Sequence, residues 1–210
     1  MKNKINASIV ILLLVLFALA CGGNAGGDEM DKANKLIDES NAASAEADKL
    51  FEQTDAKNAE FLDALKNYPA NRAAVQTLAK DDSALYDKTI AKTREAADKL
   101  DAAGKLDIDK DVKEYCSLKA QAYRKHAEQI EKSKEIPQFF LGAEAKGTAK
   151  DLDALDTKIT EMDKATTAMQ AEEDALNDKA EAIYNANPTK FNGGGESQKT
   201  SDKSKPKKKK

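Results

Sequence analysis

The side chains with the most chemistry to offer are one histidine, His126, and two cysteines, Cys21 and Cys116. His126 falls on the core-facing stripe of a predicted helix, where it could ligate a haem together with Met162 or Met169 of another helix. However, the chain contains no Cys-x-x-Cys-His, Glu-x-x-His or Gly-x-Ser-x-Gly sequence and no phosphate-binding loop. One His and one Cys are also too few for zinc without carboxylates. We therefore expect no cofactor and no catalysis, and a redox or metal protein using His126 is kept as an alternative.

Cys21 ends a segment that has the composition of an export signal. Lys2 and Lys4 lie near its start, residues 9–20 are apolar without interruption, and small residues precede the cysteine. The apolar run is shorter than the ~20 residues that a membrane-spanning helix needs. We therefore expect a cleaved signal peptide over residues 1–20, with an uncleaved membrane anchor as the alternative.

The sequence Ala18-Leu19-Ala20-Cys21 resembles the lipobox of bacterial lipoproteins. In that family the signal peptidase recognises the residues corresponding to Ala18, Leu19 and Ala20 and cuts before the cysteine. The cysteine sulfur then receives diacylglycerol, and its new amino group is usually acylated, for example with palmitate. The resemblance covers residues 1–21 and implies lipidation of Cys21 and a place in the bacterial cell envelope. Because Gly22 follows the cysteine, it implies the outer membrane if the cell is Gram-negative.

Residues 28–187 have the composition and the spacing of long helices. Glycine and proline are sparse, and apolar residues recur at alternating steps of three and four, as in helical bundles. We predict an all-α fold, an antiparallel up-down-up-down four-helix bundle with long helices at about 28–67, 71–103, 109–146 and 149–186. Pro137 is expected to kink the third helix, and Gly104 to close the second one in a left-handed conformation.

Polar residues lie at the predicted helix ends, and they also replace apolar residues on the core-facing side of the first helix. Asn71 is a candidate N-cap of the second helix, and Asp107 and Asp109 are two candidates for the third. Thr148 with Asp151 three residues later resembles a capping pair. In the first helix we expect loose packing, with hydroxyl groups bonded to their own backbone. The alternative is a functional polar groove. The residues concerned are Ser40, Ser44, Thr54 and Asn58.

The chain is expected to have four parts: a signal peptide (1–20), the lipidated cysteine with a glycine-rich tether (21–27), the bundle (28–187) and a disordered lysine-rich tail (188–210). Residues 197–210 hold seven Lys and one Asp, whereas residues 21–196 hold 25 basic and 36 acidic residues. A basic tail of this kind attracts polyanions. For an exported protein we expect anionic lipid or cell-wall polymer as the partner, and no nucleic acid. The tail residues concerned are Lys205, Lys207, Lys208, Lys209 and Lys210.

These features predict a non-enzymatic, lipid-anchored envelope protein that acts as a structural, scaffold or binding module for an unknown protein partner. Four antiparallel helices would return the tail to the membrane that holds the lipid, whereas three would project it away. The alternative is a periplasmic chaperone-like or ligand-binding bundle. Its binding surface would be the polar first helix or an exposed apolar patch at Phe139, Phe140 and Leu141.

Overall fold

The computed structural model describes residues 27–191, which are all-helical apart from their connections. Four long helices follow one another, and each packs against the next one along the chain. They contain 32 to 39 residues, or about 48–59 Å of helix. The all-α prediction is confirmed. The helices are α1 (Gly27–Leu65), α2 (Arg72–Gly104), α3 (Lys110–Leu141) and α4 (Lys150–Ala186), followed by the short α5 (Pro188–Phe191).

None of the helices within residues 27–191 is both long enough and apolar enough to span a bilayer. Their exposed faces carry ion pairs that join successive helices. Lys99 of α2 pairs with Glu39 of α1 at 2.5 Å, and Arg94 of α2 pairs with Glu131 of α3 at 2.6 Å. Exposed pairs of this kind add little to stability individually, so the fold depends mainly on its buried residues.

The N-caps of α2 and α3 differ in how they work. Asp109 accepts a hydrogen bond from the backbone nitrogen of Asp111 at 2.8 Å, so its predicted role as the cap of α3 is confirmed. Asn71 occupies the N-cap position of α2, but its side chain makes no capping bond there. Its Nδ2 donates instead to the carbonyl oxygen of Ala64 at 2.7 Å. Asn71 therefore ties the start of α2 to the end of α1.

The connection between α3 and α4 is organised around Asp151. Its carboxylate accepts hydrogen bonds from the backbone nitrogens of Gly147 (2.7 Å) and Thr148 (3.2 Å) and from the Thr148 hydroxyl (3.2 Å). The Tyr68 hydroxyl, in the connection between α1 and α2, donates to the same carboxylate at 2.5 Å. Thr148 and Asp151 are therefore bonded as expected, but the N-cap position of α4 is Ala149, which has no side-chain capping bond. Through Tyr68 the Asp151 carboxylate joins two connections of the fold.

One predicted helix end and one predicted glycine conformation are wrong. The third helix includes Pro137 but ends at Leu141 instead of about residue 146, because the chain turns to an extended conformation at Gly142. Gly104 is the last residue of α2, as predicted, but it is not in the left-handed conformation. Within residues 27–191 a positive φ occurs at Gly147 alone. A Cβ at Gly104 would lie 3.7 Å from the Cβ of Cys116. Gly104 is therefore a point of close approach between α2 and α3.

The predicted start of the tail at residue 188 is also too early. Pro188–Phe191 form α5, and Phe191 is buried against the rings of Tyr115 and Tyr184, with centroid distances of 5.0 and 5.1 Å. An aromatic side chain close to the end of α4 can bury enough apolar surface to hold this short segment. The described part of the body therefore extends to residue 191.

The core is divided into three clusters along the helices. The terminal cluster holds both ends of the described chain, including Ala33, Leu100, Val112 and Phe191. The aromatic cluster lies at the other end and contains Phe61, Tyr68, Val75, Phe140 and Leu155 among others. The small middle cluster consists of Tyr86, Ile90, Ala127 and Ile130.

The middle of α1 contributes only small side chains to the interior. Its buried residues between Ala43 and Phe61 are Ser44, Ala47 and Thr54. The Thr54 hydroxyl donates to the carbonyl oxygen of Leu50 at 2.9 Å, as predicted for a hydroxyl bonded to its own helix. For Ser40 that prediction is wrong, because its hydroxyl donates to the carbonyl oxygen of Ala96 in α2 at 2.8 Å. The core is therefore built of two large apolar ends joined by a thinner and more polar middle.

Candidate functional site

The residues with the clearest predicted role lie outside the described residues. These are the lipidation site Cys21, the recognition residues Ala18, Leu19 and Ala20, and the tail lysines Lys205, Lys207, Lys208, Lys209 and Lys210. The described chain begins at residue 27, six positions after Cys21, and ends at residue 191, 14 positions before Lys205.

The predicted candidate His126 lies in the middle of α3 and faces α4. Its Nδ1 is 3.2 Å from Oε2 of Glu173, a buried residue of α4. Gln129, almost one turn further along α3, donates from Nε2 to the same oxygen at 2.7 Å. Two polar groups of α3 thus bind Glu173 at the point where it interrupts the apolar stripe of α4. These contacts join the two helices, and they occupy Nδ1 of His126.

A second polar contact joins the same helices about two turns away. Lys119 donates from Nζ to Oδ1 of Asn177 at 2.7 Å, and its ammonium lies 5.5 Å from the centroid of the Tyr123 ring. Burial lowers the pKa of Lys119, while the carboxylates of Glu173 and Glu181 act in the opposite direction. The lysine is thus partly buried between α3 and α4 and bonded to a neutral amide.

Neither His126 nor Lys119 belongs to a set of metal ligands. Within residues 27–191 no three His, Cys, Asp or Glu side chains are grouped closely enough to hold a metal ion. Cys116 is fully buried in the terminal cluster, and burial raises the pKa of its thiol to about 12. A thiol in these surroundings is a packed apolar residue and a poor nucleophile.

The apolar triplet at the end of α3 does not form an exposed binding patch. Phe139 and Phe140 are buried in the aromatic cluster, while Leu141 is 44% exposed. Phe140 makes edge-to-face contacts with Phe61 and Tyr68, at centroid distances of 5.5 and 5.3 Å. Burial of both phenylalanines counts against a chaperone-like surface at this position.

The most unusual polar residue of the interior was missed at the sequence level. Asp82 of α2 is fully buried, and its two carboxylate oxygens have no hydrogen-bond partner within the described chain. Burial raises the pKa of this carboxyl to about 6, and the negative charge of Asp55 on α1 adds to the effect. The hint in the sequence was an acidic residue at the core-facing position midway between Ala79 and Tyr86.

No protein-family model, curated protein or solved structure matches this chain. The fold is therefore described from this chain itself: four long helices that pack in chain order around a core with a polar middle.

Proposed function

We propose that the protein is a non-enzymatic lipoprotein of the bacterial cell envelope, anchored through Cys21 and displaying its helical body as a spacer, scaffold or binding module. The observation that carries the proposal is the sequence Ala18-Leu19-Ala20-Cys21 at the end of an uninterrupted apolar run. The described body is compatible with this role. Some of its polar side chains form contacts between helices, and it begins only six residues after the cysteine.

We infer that the four helices run antiparallel, up-down-up-down. The aromatic cluster combines the end of α1, the start of α2, the end of α3 and the start of α4. The terminal cluster combines the opposite end of each of these helices. The short connections between successive helices favour the same arrangement.

With this topology the basic tail and the lipid share one end of the body. Ala33, near the start of α1, and Phe191, where the described chain ends, belong to the same cluster. The tail lysines would then lie beside the membrane that holds the lipid, and each Lys near an anionic surface adds ~1 kcal/mol of attraction. One lipid anchor combined with a basic segment gives firmer attachment than either alone. Anionic lipid is the partner that this geometry favours over cell-wall polymer.

Replacement of Cys21 tests the anchor. We expect Cys21→Ser to lose incorporation of a labelled fatty acid and to leave the membrane fraction of lysed cells. The matched control is Cys116→Ser, which keeps the lipidation site and should remain labelled and membrane-bound. A processed Cys21→Ser protein that stays in the membrane fraction would show that lipidation is not what holds it.

Neutralisation of the tail tests its role separately. In a Cys21→Ser background, the five terminal lysines would be replaced by glutamine at constant length. Binding to vesicles of anionic lipid at low salt should fall more than tenfold, while binding to neutral vesicles stays low in both proteins. Equal binding of the two proteins to anionic vesicles would refute the tail contact and leave the lipid anchor unaffected.

A further inference from the structure

The feature that the proposed function does not use is the buried carboxyl of Asp82. Both carboxylate oxygens and the hydroxyl of the next residue, Ser83, are buried without a hydrogen-bond partner within the described chain. An ionised carboxylate is strongly disfavoured in such a place, because it loses its hydration and gains no compensating bond. Either the carboxyl binds a proton, or its surroundings open so that water reaches it.

Asp82 lies at a gap between two parts of the core. On α2, Ala79 belongs to the aromatic cluster and Tyr86 to the middle cluster, and Asp82 and Ser83 fall between them. No cluster extends across this position on α2. The local packing that would resist opening is therefore weaker here than at either end of the body.

The facing part of α1 is held by few apolar contacts. Thr54 is its buried residue at this level, while Phe51 is 38% exposed although it occupies the core-facing stripe. Asp55, the next residue after Thr54, has its own pKa raised by partial burial. Separation of α1 from α2 along this stretch would therefore expose little additional apolar surface and would hydrate the buried carboxyl of Asp82.

The charged groups around Asp82 offer it no cation. Asp55 on α1 is a like charge, and Tyr86 on α2 is a neutral neighbour whose own pKa is raised by burial and by both carboxylates. Several charged residues of α3 and α4 form ion pairs with groups other than Asp82. The pairs are Lys134 with Asp87, Glu131 with Arg94, Lys132 with Glu135, and Lys158 with Glu144.

We propose that Asp82 is a proton-controlled latch, which holds the middle of α1 and α2 closed when it is neutral and lets this stretch open when it is ionised. The latch is a property of the helical body and does not depend on the lipid anchor. It would make the middle of the body, including the half-exposed Phe51, more accessible as the surroundings become less acidic.

The direction and size of the effect follow from linkage. The pKa of Asp82 is about 6 in the closed state and is taken as its ordinary value, 3.8, once the stretch is open to water. Because the closed state has the higher pKa, closure is favoured at low pH and is progressively lost as the pH rises from about 4 to 6. With these two values the opening equilibrium increases about tenfold between pH 5 and pH 7.5.

Amide hydrogen exchange of the full chain, corrected for intrinsic rates, tests the latch. In peptides covering residues 48–60 and 79–90 we expect about tenfold lower protection at pH 7.5 than at pH 5. Peptides of the two end clusters should change much less. Asp82→Asn should remove the pH dependence of the middle peptides, because asparagine does not ionise. Asp81→Asn, an exposed carboxylate on the same helix, is the matched control and should keep the dependence.

Two results would overturn the latch. One is a tenfold pH dependence that persists in Asp82→Asn, and the other is its loss in Asp81→Asn. A direct titration of the Asp82 carboxyl carbon by NMR in the unmodified protein keeps the proposal testable if Asp82→Asn fails to fold. A midpoint near 6 supports the latch, whereas a midpoint below about 4.5 refutes it.

Discussion

Truncation of Phe140 should be the most destabilising single change at the end of α3. The ring is 1% exposed and contacts three other aromatic rings, those of Phe61, Tyr68 and Phe139, at 5.1 to 5.5 Å. Removing a fully buried phenylalanine typically costs about 3–5 kcal/mol through lost burial and the cavity left behind. Because the edge-to-face contacts are lost as well, we expect Phe140→Ala to lie near the upper end of that range.

The neighbouring Leu141 supplies the control for Phe140→Ala. It is 44% exposed, so Leu141→Ala should change the free energy of unfolding by about 0.5 kcal/mol or less. The measurement is urea-induced unfolding followed by circular dichroism. For a chain of this size, Phe140→Ala should also lower the melting temperature by roughly 6–20 °C. A loss below 1 kcal/mol for Phe140→Ala, or an equal loss for both variants, would show that the triplet is not packed in this way.

Two further predictions concern the connection between α3 and α4. Gly147 has φ 79°, and an added Cβ would lie 2.7 Å from Nη1 of Arg72. Gly147→Ala should therefore lower the free energy of unfolding by about 1–2 kcal/mol. Gly142→Ala is the control and should change it little, because an added Cβ there would have no contact closer than 3.6 Å. The hydrogen bond from Tyr68 and those from the backbone lower the pKa of Asp151 to about 2. Because the folded-state value is the lower one, this stabilisation is complete above about pH 4 and is lost as the pH falls towards 2. Asp151→Asn should therefore melt at a lower temperature than the unmodified protein at pH 6, and thermal scans should show the difference shrinking between pH 4 and 2; a constant difference would contradict the assignment.

The helix count was predictable because breakers and periodicity agreed. Pro69, Gly104 and Pro188 separate or end stretches whose apolar residues recur at helical spacing, and each long helix lies where that pattern placed it. The exact ends were less predictable. At Gly142 and Gly104 the outcome depended on the backbone conformation and on a close approach to α3, neither of which a residue type determines alone.

The burial of a helix could not be predicted from how regular its apolar stripe is. The stripe of α4 is the most regular in the sequence, yet Ile159, Met162 and Met169 are only partly buried. The reason is the number of neighbours. α4 packs mainly on α3, and within the described residues it forms no interface with α1 comparable to those between successive helices. Periodicity indicates which face of a helix is apolar, but it does not indicate how many partners cover that face.

The polar residues of the candidate site were partly visible in the sequence. Glu173 stood out because it interrupts an apolar stripe, but its partners His126 and Gln129 lie more than 40 positions away and could not be inferred without the packing of α3 on α4. Asp82 was harder to find. It lies on the core-facing stripe of α2 and its neighbour Asp81 does not, but one acidic residue on a stripe does not show that its carboxyl is buried without a partner.

The distribution of apolar and polar contacts also implies how the body would respond to a load or a partner. The two large clusters fix the ends: all four long helices contribute buried side chains to the aromatic cluster, whereas α4 adds only the partly buried Ile183 and Tyr184 to the terminal cluster. In the middle, α4 is held to α3 by the bonds of Glu173, and α1 faces the unpartnered Asp82. Polar contacts of this kind specify which groups pair, but they contribute less net free energy than apolar burial of the same area. If Cys21 anchors the terminal end, the middle is the part of the body whose shape can change without loosening either the anchored end or the aromatic cluster.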